Sequence, residues 1–301
     1  MNKGVIYAGA AYAIWGFFPI YFKAIEAAPP FQIVAHRVFW SFLFVIGVVL
    51  FRKEFTALRQ TLTPRTIMIY LAASILLGIN WLTYVWAVNS GFVIEASLGY
   101  YINPLVSVLC GVLILHEKLR PIQWLPIGLA AAGVVYLTVS LGTLPWIALV
   151  LAFSFGLYGL VKKVAPLNAL SGLTLETALL FIPALAFLIF SEGNGTAAFG
   201  HVTWTTSLLL ALTGVVTAIP LLLFASGARL VPLTTLGLLQ YVAPTMQFII
   251  GVYVFGEPLS QANIIGFLII WIALAIYSGE GLLQRRRTFL LAEAARAKSQ
   301  V

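Results

Sequence analysis

Apolar residues run along the chain in long unbroken blocks, separated by short polar punctuation. Ten blocks stand out, at roughly 4–23, 31–51, 66–88, 92–115, 121–139, 145–163, 171–191, 203–226, 231–255 and 260–282. Each approaches the ~20 residues that an α-helix needs to cross a hydrocarbon core. The runs are continuous and not alternating, so a β-barrel is rejected and an all-α integral membrane protein is predicted. Helix-breaking signals fill the gaps: Pro29-Pro30, Thr63-Pro64, Arg120-Pro121, Pro145, Gly193-Asn194-Gly195 and Pro258. The start, Met1-Asn2-Lys3, imitates a signal peptide, but the first block is itself long enough to span.

Composition agrees with the pattern. Of 301 residues, 61% are hydrophobic and 9% charged, whereas soluble domains carry about 25% charge. The net charge is +8, and the placement of those charges gives it meaning. With the N-terminus in the cytoplasm, the inner segments hold Lys3, Arg52, Lys53, Arg59, Arg65, Lys118, Arg120, Lys162, Lys163, Arg229, Arg285, Arg286, Arg287, Arg296 and Lys298. Only Lys23 falls outside, and Arg37 falls within a helix. The positive-inside rule then places both termini in the cytoplasm. The basic excess is a topology signal, so nucleic acid is not implied as a partner. The tail 285–301 reads as a basic cytoplasmic anchor, with anionic lipid as its other reading. Cys110 stands alone, and His36, His116 and His201 lack metal-ligand spacing, so no metal site is expected.

Sliding the chain against itself by 140 residues aligns Trp15-Gly16 with Phe155-Gly156, Tyr101 with Tyr241, Pro104 with Pro244, Gly111 with Gly251 and Glu117 with Glu257. A fixed offset through prolines, glycines and glutamates indicates a duplication. The halves are 1–140 and 141–284. Five spans each is an odd number, so the second half enters the membrane in the opposite sense. The predicted fold is ten transmembrane helices in two inverted-topology five-helix repeats, an architecture whose substrate site lies between the halves. Helices 4 and 9 are expected to be interrupted at Pro104 and Pro244. With Gly99 and Gly237 nearby, these are the candidate hinges, packing kinks being the alternative.

Polar groups inside apolar helices mark the candidate site. On helix 9, Gln240, Pro244, Gln247 and Gly251 share a face, as do Tyr100, Pro104, Ser107 and Gly111 on helix 4. Asn80 and Tyr84 on helix 3 make a third face, joined by Asn103. Asn80, Tyr84, Tyr100, Asn103, Gln240 and Gln247 are therefore the substrate-contact candidates, helix–helix hydrogen bonding being the alternative. Trp15, Trp40, Trp81 and Trp86 are pore-lining or packing residues. Arg37, near a helix start, opposes the helix dipole. An Arg37–Glu95 ion pair is expected, whose repeat equivalents are Thr177 and Thr235. His36 and its equivalent, Glu176, are the candidates for proton coupling. The other reading of Glu176 is dipole stabilisation. No HExxH, nucleophile elbow or Walker A string is present, so no enzyme activity, cofactor or ATP-driven step is predicted.

Several strings carry a resemblance. They are His36-Arg37-Val38-Phe39-Trp40-Ser41, Asn80-Trp81, Trp86-Ala87-Val88-Asn89, Glu95 through Leu105, and Thr235-Leu236-Gly237 with Gln240-Tyr241 and Pro244-Thr245. With ten spans in two EamA-like halves, the chain resembles the RarD family of the drug/metabolite transporter superfamily. The family's Gly-Glu at the end of each half stands at Gly256-Glu257 but is His116-Glu117 in the first half. The resemblance implies an inner-membrane exporter or exchanger of small metabolites such as amino acids, or of drugs such as amphenicols, working by alternating access, with protons as candidate coupling ions. A channel-like uniporter and a non-transporting scaffold or receptor are the alternatives.

Overall fold

The computed structural model describes residues 3–89, 93–141 and 146–256, with scattered positions between 261 and 280. The elements follow the apolar blocks. They are α1 (Lys3–Gly16), α2 (Phe18–Lys23), α3 (Pro30–Phe51), α4 (Phe55–Gln60), α5 (Pro64–Asn89), α6 (Val93–Leu113), α7 (Pro121–Leu141), α8 (Trp146–Val164), α9 (Ala169–Gly193), α10 (Trp204–Leu230), α11 (Leu233–Leu239) and α12 (Val242–Tyr253). Among the described residues, six helical stretches are long and apolar enough to cross a membrane; Gly99–Leu113, Pro121–Tyr136 and Ile264–Ala273 are shorter apolar helices. Large apolar side chains stay exposed along them, among them Met68 at 69%, Ile182 at 74% and Phe190 at 65%. Water would penalise such surfaces and lipid does not. The fold is an all-α membrane protein of ten helices in two inverted five-helix repeats.

Local chemistry sets the helix starts. Pro30, Pro64 and Pro121 open α3, α5 and α7, where proline's missing N–H has no partner to lose. Asn168 and Thr203 cap α9 and α10 by accepting from the Ser171 and Thr206 amides.

Several elements depart from the sequence reading. The first span breaks at Phe17, with Pro19 in the first turn of α2. The ninth breaks at Gln240 and Tyr241, so Pro244 lies in the first turn of α12 and removes no helical bond. Helix α6, by contrast, runs through Pro104, and α10 runs through Pro220. The expected matching interruptions thus reduce to one broken helix and one intact helix containing a proline. Lys162 is also not a loop residue, because α8 carries it into the interior at 3% exposure.

The chain divides into two compact units. One holds Met1–Glu117 and Pro145–Pro258; the other holds Lys118–Leu144 and Leu259–Val301. The smaller one is held in part by Arg120, whose Nη1 and Nη2 meet Glu280 at 2.6 and 3.0 Å, a bidentate pair. In the larger, α6 packs on α8 and α1 on α12, α1 on α10 and α5 on α8, and α3 on α10 and α5 on α9. Each pairing becomes the other when the halves are exchanged. The contacts α3–α9 and α6–α11 map onto themselves. One consequence appears at Gly16 and Gly156. A Cβ on Gly16 would sit 2.7 Å from Met246, and one on Gly156 2.6 Å from Val106. Both pairs are equivalent at the offset of 140 residues.

Candidate functional site

The larger unit encloses a cavity of about 100 Å3, room for several waters by that measure. It lies where the broken ninth span meets the helices around it. The walls are Tyr12 and Trp15 of α1, Phe18, Pro19 and Phe22 of α2, Arg37 of α3, Asn80, Trp81 and Tyr84 of α5, Tyr100 and Asn103 of α6, Phe155 and Leu221, and Gln240, Ala243, Pro244 and Gln247. The six substrate-contact candidates all fall on this lining. Trp15 and Trp81 do as well, but Trp40 and Trp86 do not.

The polar groups of the wall divide by their bonds. Asn80 Nδ2 donates to the Leu151 carbonyl and to Ser154 Oγ, each at 3.0 Å, tying α5 to α8. Gln247 Nε2 donates to the Trp15 carbonyl at 3.0 Å. Asn103 Oδ1 and the Tyr12 hydroxyl are buried without a hydrogen-bond partner among the described residues. Unpartnered buried polar atoms are costly, which sets these two groups apart from the bonded amides of the wall. Tyr84 and Tyr100 meet edge-on at 5.6 Å between ring centroids.

Arg37 is 8% exposed. Its Nε donates to Thr217 Oγ1 at 3.0 Å. Its guanidinium carbon sits 4.4 Å from the Trp81 ring centroid, 5.3 Å from Phe22 and 5.8 Å from Phe18. This aromatic bed was not read from the sequence, although Phe18 and Phe22, four apart, share a helix face. The expected partner, Glu95, has its side chain outside the described residues.

The other charged candidates stand apart from the cavity lining. His36 is buried, its ring 5.2 Å from that of Phe199 and its Nδ1 unpartnered among the described residues. Glu176 is fully buried; it accepts from Lys162 Nζ at 2.8 Å and from the Tyr158 hydroxyl at 3.0 Å. Nothing in the sequence reading paired Lys162 with it. The repeat equivalents of Tyr158, Lys162 and Glu176 are Phe18, Phe22 and His36. The second half thus holds an ion pair where the first offers its aromatic bed to Arg37.

Gly99 and Gly237, the glycine hinge candidates, lie within helices at close approaches. A Cβ on Gly99 would stand 2.9 Å from Leu151, and one on Gly237 2.7 Å from the Pro104 carbonyl oxygen. Beside Gly237, the Tyr101 and Tyr241 hydroxyls donate to the Pro244 and Tyr101 carbonyls at 3.4 and 3.3 Å. The Glu117 carboxylate, just after α6, accepts from the Leu233 and Thr234 amides at 2.6 and 3.0 Å and so caps α11. Lys163 Nζ lies 3.9 Å from it and donates to the Val231 carbonyl at 2.6 Å. His116 and Gly256, equivalent across the halves, both take left-handed backbone, φ 52° and 67°.

The EamA-like transporter family matches the chain twice, over residues 2–139 and 144–279. The protein named uncharacterized transporter YojE of Bacillus subtilis is 48% identical over 92% of this chain and 94% of its own length. The protein RarD of Escherichia coli is 40% identical over 95% of this chain and 97% of its own. One solved crystal structure superposes with a TM-score of 0.68 at 21% identity, covering 91% of this chain and 97% of that one. At that identity the likeness is one of fold.

Proposed function

The chain belongs to the EamA-like transporter family, in its RarD branch, and on that premise we propose that it is a secondary transporter moving small polar or amphipathic metabolites by alternating access. That it is a multi-pass membrane transporter and not an enzyme follows from the family itself. The observation that carries the finer reading is the exchange symmetry of the packing around the cavity. The principal helix pairs of the larger unit have counterparts in which the halves trade roles. Two arrangements of comparable energy are then available to one chain, each opening the cavity to one side. The termini lie in the cytoplasm on this reading, so Glu117 and Lys163 close the inner end.

Proteoliposomes test it. Radiolabelled uptake is measured for a panel of amino acids and amphenicols, with and without a pH gradient. Counterflow driven by unlabelled solute on the far side is the expected result. Flux without accumulation, insensitive to the gradient, would indicate a channel-like uniporter. Absence of flux for every solute would indicate a scaffold or receptor.

A further inference from the structure

We infer that the cavity takes solutes in which a carboxylate adjoins a flat apolar body, with Arg37 as the carboxylate-binding residue. The inference rests on the transporter reading and names the substrate class of the same site.

The argument starts from charge. Arg37 is the one charged side chain among the described residues that line the cavity. It is nine-tenths buried, and none of the ion pairs among the described residues includes it. A buried cation is tolerated only with compensation. Here the aromatic faces of Trp81, Phe22 and Phe18 supply part of it, and Thr217 takes the Nε–H.

The geometry supplies the direction. A guanidinium has five N–H donors in a fixed fork. One is spent on Thr217, and the two Nη groups make no hydrogen bond to a described residue. Thr217 and the Trp81 ring hold the guanidinium in place, and its free fork suits bidentate capture of a carboxylate. Thr217 is on this view a positioning residue.

The rest of the wall narrows the class. Among the described residues no Asp or Glu lines the cavity, so an ammonium group meets no counter-charge there. The rings of Trp15 and Phe155, 5.6 Å apart, and of Tyr84 and Tyr100 offer apolar faces. They accept a planar body and do not replace the hydration shell of a small inorganic anion.

The test uses the full chain in nanodiscs and three probes with one body and different ends: phenylacetate, phenylacetamide and phenethylamine. Binding is read from the fluorescence of the cavity tryptophans, with inorganic phosphate as competitor. Phenylacetate is expected to bind at least about tenfold tighter than the amide or the amine, with no displacement by phosphate. R37Q should abolish the preference, and R37K, which keeps the charge and loses the fork, should reduce it. If R37Q does not fold, the R37K result decides. No binding of phenylacetate, equal binding of the amide, displacement by phosphate, or an undiminished preference in R37K would overturn the inference. Failure of the underlying reading looks different. A carboxylate preference without flux in proteoliposomes would leave the site standing and remove the transporter. Flux of neutral solutes without that preference would do the reverse.

Discussion

Two buried groups separate structural roles from binding roles at the scale of single residues. Glu176 and Lys162 are 0% and 3% exposed and held 2.8 Å apart. Removing one partner strands the other charge in a poorly solvated interior, at a cost of about 3–5 kcal/mol. E176Q and K162M are therefore each expected to lower the melting temperature sharply, and the K162M/E176L double variant to recover most of the loss. A double variant no better than the singles would show that the pair is not the source. Asn103 presents the opposite case, because its Oδ1 has no described partner to lose. N103L should keep the wild-type melting temperature while impairing uptake. N80L, which breaks two 3.0 Å bonds to α8, should lower both, by roughly 1–3 kcal/mol in stability. A drop in stability in N103L would refute the contrast. These residues were legible in the sequence because an amide inside an apolar helix stands out. The Lys162–Glu176 pair was not, because the positive-inside rule reads a lysine near a helix end as a topology signal, and only packing reveals that it turns inward. Thr217 was equally hidden, since a hydroxyl in a helix has its own backbone as a partner.

Elements follow from periodicity, and the exceptions have local causes. The ten apolar blocks placed the helices and the ninth was expected to be interrupted, yet the place of its break at Gln240–Tyr241, the break at Phe17 and the continuity of α6 through Pro104 were not foreseen. A proline marks where one donor is missing, which neighbouring helices can absorb; it does not say whether the chain breaks there or one turn earlier. The duplication was more informative, because equivalent positions face equivalent constraints. Val106 fills the space beside Gly156, so G156A is expected to cost about 1–3 kcal/mol of stability. V106A should recover part of that loss in the double variant, measured by thermal melting; strict additivity would argue against the contact. The turn that follows α6 and α12 gives a second case. Left-handed backbone suits Gly256 but costs a residue with a Cβ about 1–2 kcal/mol, so His116 bears strain that its counterpart does not. H116G is expected to raise the melting temperature, and a fall would show that the imidazole has a role outweighing the strain.

For the whole molecule, the exchange symmetry of the helix pairs is paired with a marked asymmetry of the ends. The Arg37 region borders the cavity. On the alternating-access reading proposed above, the Glu117 region is the closed end, held by two amide bonds to α11, by Lys163 against the Val231 and Ala228 carbonyls, and by Arg229 against the Leu167 carbonyl. On that reading, opening that end requires Glu117 to release α11. Charge-assisted hydrogen bonds contribute roughly 1.5–3 kcal/mol each, and every 1.4 kcal/mol changes a two-state population about tenfold. E117Q keeps the shape and removes the charge, so it should shift the population toward the state open at that end by at least about tenfold. The measurement uses a C110A background carrying A243C, since Ala243 lines the cavity. A membrane-impermeant maleimide should label A243C from the outer face when Glu117 is present. In E117Q, labelling should also appear in inverted vesicles, where the reagent meets the cytoplasmic face. Labelling from the outer face alone in both forms would mean that Glu117 only caps α11. The inner closure would then rest on the Lys163 and Arg229 contacts with backbone carbonyls.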